Sequence, residues 1–274
     1  MNISLRDLLQ AGVHFGHQTR RWNPRMRPYI YGAKNGIHII DLQATAKGLV
    51  DATRFVTQTV AHGGNVMFVG TKRAAREIVA EEASRCGMFY VNNRWLGGTL
   101  TNWTTVKKSL ERLNQLEHAR DEGRFDLLTK KEALQLHREI EKMEKNLGGI
   151  KSLKGIPDAM FVIDPKKEHL AVKEAQKLGI PVVALCDTNC DPGPITHVIP
   201  GNDDALKSIR LFTAAIADAV AEGSQAGTTR AGAEFQGQDD SDVEVIKRPA
   251  ATDAPTEAPA ASAAPAESAE APAS

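Results

Sequence analysis

The sequence predicts an α/β fold: a parallel sheet flanked by helices, with a helical hairpin inserted into it. Three observations predict it. Residues 64–80, GNVMFVGTKRAAREIVA, place a wholly apolar run, Val66 to Val69, directly before a helical pattern. Such a run suits a strand buried on both faces. The same order returns at 159–178 and runs into a further apolar strand, Val182 to Cys186. Alternating strands and helices demand a parallel sheet, whose polar ligands gather at the carboxyl ends of the strands. Between the two repeats, residues 104–149 switch to heptad-like spacing over a strongly charged background.

Taken in order, Ser4 to Ala11 reads as a short helix, with Ser4 and Asp7 in capping-box spacing. Next comes a basic arm. Arg20, Arg21, Arg25, Arg27 and Lys34 fall within fifteen residues without an acid, interleaved with Trp22, Tyr29 and Tyr31. Pro24 and Pro28 oppose a regular helix and favour extended backbone. A strip of this kind can track phosphates and stack on bases; the alternative is a solvated arm packing its aromatics on its own domain.

Ile37 to Ile40 reads as a strand, and Asp41 caps a helix to about Val60. After Val69, Gly70 ends the strand, and Thr71 is placed to cap a helix from Lys72 to Ala83. The crossover then leads to a strand at Met88–Val91. Residues 92–103 form a polar, aromatic loop around Gly97-Gly98, with Arg94 as an anionic contact and Trp95 and Trp103 for packing or stacking.

Within 104–149, Val106, Leu110 and Leu113 repeat at four and three, and Leu136, Ile140, Met143 and Leu147 at four, three and four. Thr129 and Glu132 open the second helix as a capping box, and Gly148-Gly149 closes it. After the later strands, Val198-Ile199 is a short last strand, and Asn202 caps a helix to about Val220. No periodicity survives beyond Glu222. The Ala, Pro, Ser and acid composition of 251–274 predicts disorder. The organisation expected is therefore an α/β domain from 1–103 and 150–225, a hairpin at 104–149, and a disordered acidic tail at 226–274.

Composition narrows the function. The formal charge is zero, but nine acids and three bases of the 34 and 34 lie in 226–274. Residues 1–225 thus carry 31 bases and 25 acids, a net of +6. A basic body suits a polyanionic partner. The three cysteines, Cys86, Cys186 and Cys190, form no CxxC, which fits a reducing, cytoplasmic setting. No apolar run approaches the ~18 residues of a membrane span.

The chain has no GxxxxGK[ST], GxGxxG or GxSxG. Gly70-Thr71-Lys72-Arg73 sits where a phosphate loop would sit, yet lacks the glycines to wrap a nucleotide. Lys72, Arg73 and Arg76 are candidate phosphate contacts instead. Asp187, Asp203 and Asp204 fall just after predicted strand ends, where they can converge. With His17 from a folded-back arm they would hold Zn²⁺ or Mg²⁺. The alternatives are turn and cap chemistry, or Lys72 as the neutralising cation.

Six ordered stretches carry a resemblance: AGVHFGHQTRRWNPRMRPYIYG, FVGTKRAA, VNNRWLGGTLTNW, LGGIKSLKGIPDAMFVIDP, GIPVVALCDTNCDP and VIPGNDDA. Together, from about residue 3 to 223, they resemble the bacterial small ribosomal subunit protein two family. The resemblance implies a flavodoxin-like domain with a protruding coiled-coil hairpin and no enzymatic activity or required cofactor. It implies binding to 16S rRNA near the head–body junction, docking of the large OB-fold protein that captures messenger RNA, and a place on cytoplasmic ribosomes. Neither a membrane nor a small-molecule substrate is expected. Where the family motif has Ser, this chain has Cys190. The rival class is a nucleotide- or sugar-phosphate-binding α/β enzyme using Lys72 and the aspartates, which the missing glycine-rich loop disfavours. A coiled-coil scaffold without RNA would leave the basic arm unexplained. The residues expected at RNA are Arg20, Arg21, Trp22, Arg25, Arg27, Lys72, Arg73, Arg94, Trp95 and Trp103.

Overall fold

A computed structural model describes residues 3–236, with side chains through residue 227. Five parallel strands form the central sheet: β4 (Val66–Val69), β5 (Phe89–Val91), β6 (Ala159–Ile163), β7 (Val182–Cys186) and β8 (His197–Pro200). Their spatial order is β5-β4-β6-β7-β8, so the chain reverses its winding between β4 and β6.

The apolar runs form strands because both faces are covered. Val66 and Phe68 of β4, with Ala159, Phe161 and Ile163 of β6, point into one core; Met67, Val69, Met160 and Val162 point into the other. The first core is closed by α2 (Leu42–Ala61), α3 (Arg76–Arg85) and α7 (Leu206–Gln236), where Phe68 and Phe161 meet edge to face at 5.6 Å. The second is closed by α6 (His169–Leu178), by the loop bearing Trp95 and Leu100, and by Met26 of the arm.

The N-terminal helix α1 (Leu5–Gln10) has both bonds of the expected capping box. The arm, expected to be extended, is not. Two 3₁₀ turns, Thr19–Arg21 and Pro24–Tyr29, punctuate it. Pro24 opens the second, where its missing N–H costs nothing, and Asn23 caps it by accepting from the Arg25 N–H. Around these turns β1 (Phe15–Gln18), β2 (Ile30–Lys34) and β3 (Ile37–Ile40) form a separate antiparallel sheet, ordered β1-β3-β2. The hairpin turns at Asn35-Gly36, both with positive φ, as that tight reversal requires.

Two helix boundaries differ from expectation. Thr71 does not cap α3, which starts at Arg76; the Thr71 amide and hydroxyl are turned to Glu168 instead. The last helix does not fade near Val220 but continues to Gln236, so residues 226–236 are helical rather than part of a tail. Up to Val220 it packs on α2 through an apolar stripe, and past Val220 through close backbone approach. A Cβ on Gly223 would lie 2.6 Å from the Thr57 carbonyl oxygen, and one on Gly227 3.2 Å from that of Ala61. Hydrophobic periodicity cannot register such a contact. The expected disorder of 237–274 lies outside the described residues.

The insertion consists of α4 (Trp103–Asp121) and α5 (Lys130–Leu147), packed side by side. Thr129 and Glu132 form the expected capping box. Its far half has its own small core of Leu113, Leu116, Phe125 and Ile140. Its base does not: Leu110 and Leu147 are buried in the second sheet core beside Trp95 and Leu100.

Candidate nucleic-acid interface and cation site

The arm folds back onto the carboxyl edge of the sheet. Gly16 permits this, since a Cβ there would lie 2.7 Å from the Thr188 methyl. The His17 N–H then donates to Thr188 Oγ1 (3.0 Å) and Asp187 Oδ1 (3.2 Å), and the Asn23 N–H donates to the Thr188 carbonyl (2.8 Å). Asn202 ties the arm's root through Nδ2 to the Gly12 carbonyl (3.1 Å), while its Oδ1 accepts from the Asp204 and Ala205 amides ahead of α7.

These contacts gather His17, Asp187, Asp203 and Asp204, with one ligand atom from each inside a 4.8 Å sphere of mutual separation. His17 Nδ1 lies 2.7 Å from Asp187 Oδ2, and Nε2 lies 3.5 Å from Asp204 Oδ2. That hydrogen bond with Asp187 raises the imidazole above its ordinary pKa. Lys72 enters from the other side, with Nζ 2.8 Å from Asp203 Oδ1 and 2.5 Å from Asp204 Oδ1. Burial alone would lower the lysine, but Asp203 outweighs it and the pKa rises. Asp203 is fully buried, and burial with repulsion from Asp164 and Asp187 lifts its carboxyl to about 7. Its Oδ2 accepts no hydrogen bond from the described residues.

Lys72 is therefore committed to carboxylates and is withdrawn from the surface that could meet phosphate. Trp95 is also withdrawn from stacking. It is 6% exposed, and its Nε1 donates to Glu174 Oε1 at 3.1 Å. Trp103 is half-buried against the same core. Trp22 is exposed, leaning on His38 with ring centroids 5.3 Å apart. Arg20, Arg21, Arg27, Arg73 and Arg94 are exposed and form no ion pair among the described residues. Arg25 is different: its Nη1 reaches both Asp191 oxygens, at 3.1 and 2.8 Å.

Four residues escaped sequence reasoning. Glu174 accepts from Trp95 Nε1, from the Gly98, Leu100 and Thr101 amides, and from the Thr101 hydroxyl, fixing the whole glycine loop. Burial opposes its ionisation, but these donors hold its pKa below the usual carboxylate range. A lone Glu in a helical pattern carries no signal of this. The others are Lys166, His169 and Lys173, spaced three and four apart, which line a groove with Arg21 and Trp22 of the arm. That spacing was visible, but not what it faced.

At the winding reversal between β4 and β6, an α/β enzyme would open a crevice for its ligand. Here Glu168 is buried against Thr71, and Lys72 is held among aspartates. Fold and site thus define an α/β protein with a basic, pinned arm. The ribosomal protein S2 family model matches residues 8–223. The small ribosomal subunit protein uS2 of Acidobacterium capsulatum is 57% identical over 246 residues, 89% of this chain and 81% of that protein. Its counterparts are 61% identical in Koribacter versatilis, covering 82% of this chain and 74% of that one, and 56% identical in Geotalea uraniireducens, covering 89% and 97%. The chain belongs to the ribosomal protein S2 family; it is a structural ribosomal protein and not an enzyme. No helix among the described residues is long and apolar enough to cross a membrane.

Proposed function

We propose that the chain is a structural constituent of the small ribosomal subunit, in the cytoplasm, that binds 16S rRNA near the head–body junction. What carries this reading is the arm: unpaired arginines held on a rigid edge of the sheet, so that little ordering entropy is lost on binding. Arg73 and Arg94, exposed and without an ion pair among the described residues, are further candidate phosphate contacts. The experiment is co-sedimentation with small subunits. The protein should travel with them at moderate salt and be released at high salt; failure to associate at any salt would refute the role.

The same reading includes docking of the large OB-fold protein that captures messenger RNA. Its support is a shallow groove lined by Leu5 and Leu9 of α1 with Tyr31 of the arm, each half or more exposed. It also includes a divalent cation held by His17, Asp187, Asp203 and Asp204. The orphaned, buried Asp203 Oδ2 fits a ligand, and four carboxylates with Asp164 outnumber Lys72 and His17. An imidazole in the set favours Zn²⁺ over Mg²⁺. The ion would stiffen the junction between arm and sheet. Metal analysis decides it: wild-type protein should retain metal that Asp187→Ala with Asp204→Ala loses, and negligible metal in both would leave Lys72 as the counter-cation.

A further inference from the structure

We infer that the groove between the arm and α6 is a pocket for an unpaired nucleotide of RNA. This rests on the RNA-binding reading above and names the element that the surface would take. The groove is open, with a volume of ≈ 890 Å³, walled by Arg21 and Trp22 on the arm and by Lys166, His169 and Lys173 at the start of α6. That volume suits one or a few nucleotides; a duplex does not enter a cavity of this size.

Charge selects the ligand. Among the described residues the only carboxylate in the lining is Asp191, and Arg25 already holds both its oxygens. Arg21, Lys166 and Lys173 are exposed and form no ion pair among the described residues. The groove thus presents three uncompensated cations to any anion. Shape and chemistry select further. Trp22 stands in the wall with 37% of its surface exposed, while Pro165, Val172 and Pro194 supply apolar lining. An aromatic face beside separated cations matches a base next to its own phosphates, and any base serves because each has a π-face. An acidic peptide would satisfy the cations but leave the indole without a partner. A paired base cannot offer its face.

The two walls are far apart in the sequence and meet where the arm is pinned to the sheet edge, with Asn23 bonded to Thr188, Arg25 to Asp191 and Met26 buried in the core under α6. Neither wall alone is a site. The arm supplies stacking and one cation; Lys166 ahead of α6 and Lys173 within it supply the other two.

The test uses the full chain and four probes: a short single-stranded oligoribonucleotide, an RNA duplex, free AMP, and a glutamate-rich peptide. Lys166→Ala with Lys173→Ala should weaken the single strand and reduce the slope of log affinity against log salt by about 1.4, two phosphate contacts' worth. Trp22→Leu should weaken the single strand about tenfold and leave the slope unchanged. Because Trp22 also leans on His38, the lysine pair, exposed and unpaired, keeps the test independent of folding. Unchanged single-strand affinity in the lysine variant, with small-subunit co-sedimentation intact, would overturn the pocket and leave the ribosomal role standing. Equal losses for duplex and single strand would overturn the unpaired nucleotide. AMP binding as tight as the oligonucleotide, or loss of peptide binding with RNA binding retained, would assign the groove to another ligand. Wild-type protein that never joins the subunit would remove the underlying reading and this inference with it.

Discussion

Asp203 is the residue at which this protein's stability meets pH. Its folded pKa of about 7 stands above the ordinary carboxylate value near 4, so the folded state keeps a proton that the unfolded chain releases. That contribution falls as pH rises from about 4 through about 7. His17, raised above its ordinary value, contributes fully below about 6.5 and loses its contribution as pH rises through the folded pKa. Both act in one direction. Melting temperature should therefore fall as pH rises from about 4 to about 8, and Asp203→Asn should flatten the part of that dependence below about pH 7. A profile unaltered by that substitution would place the titration elsewhere. Glu174 makes a second residue-scale prediction. Glu174→Gln keeps the shape but removes the charge that four loop donors and one hydroxyl share. Partial exposure tempers the loss to about 1–3 kcal/mol, measurable by denaturant unfolding. The loop amides should also exchange faster; unchanged exchange would show that the loop holds itself.

At the scale of elements, the hairpin is half independent. Leu113, Leu116, Phe125 and Ile140 bury one another, whereas Leu110 and Leu147 belong to the sheet. Replacing residues 113–143 by a short flexible linker should leave a cooperatively folded α/β body. Extending the deletion through 106–147 should cost about 2–5 kcal/mol for each of those two leucines. Circular dichroism with urea unfolding separates the cases, and equal stability of both deletions would show that the base is not shared. Heptad spacing announced both helices and the Thr129 cap announced where the second begins. It could not announce the division of labour, because apolar positions look alike whether they meet each other or a sheet. The arm teaches the same lesson. Its prolines excluded a long helix, but the 3₁₀ turns and the β1-β3-β2 sheet depend on partners: Ile37 to Ile40 pairs with strands on both sides.

For the whole molecule, the basic surface should behave electrostatically. Replacing Arg20, Arg21, Arg25 and Arg27 by Ala removes four cations, but Arg25 is already engaged by Asp191. The salt slope of small-subunit binding should therefore fall by about two to three units. An unchanged slope would move the interface off the arm. How far the sequence alone reached follows from the range of the forces involved. Strand and helix order, the buried strands, most caps and the net +6 of residues 1–225 are local or additive properties, and a linear chain displays them. The aspartates after strands β7 and β8 were legible too, because parallel strands bring their carboxyl ends together by geometry. What only the tertiary structure decided is which charges remain free. Lys72 and Arg20 look equivalent in sequence; one is consumed by Asp203 and Asp204, the other faces solvent. Trp95 and Trp22 look equivalent too, yet Glu174 and α6 bury the first and leave the second at a groove. Burial and ion pairing are set by groups distant in the chain, and those distances exist only once it has folded.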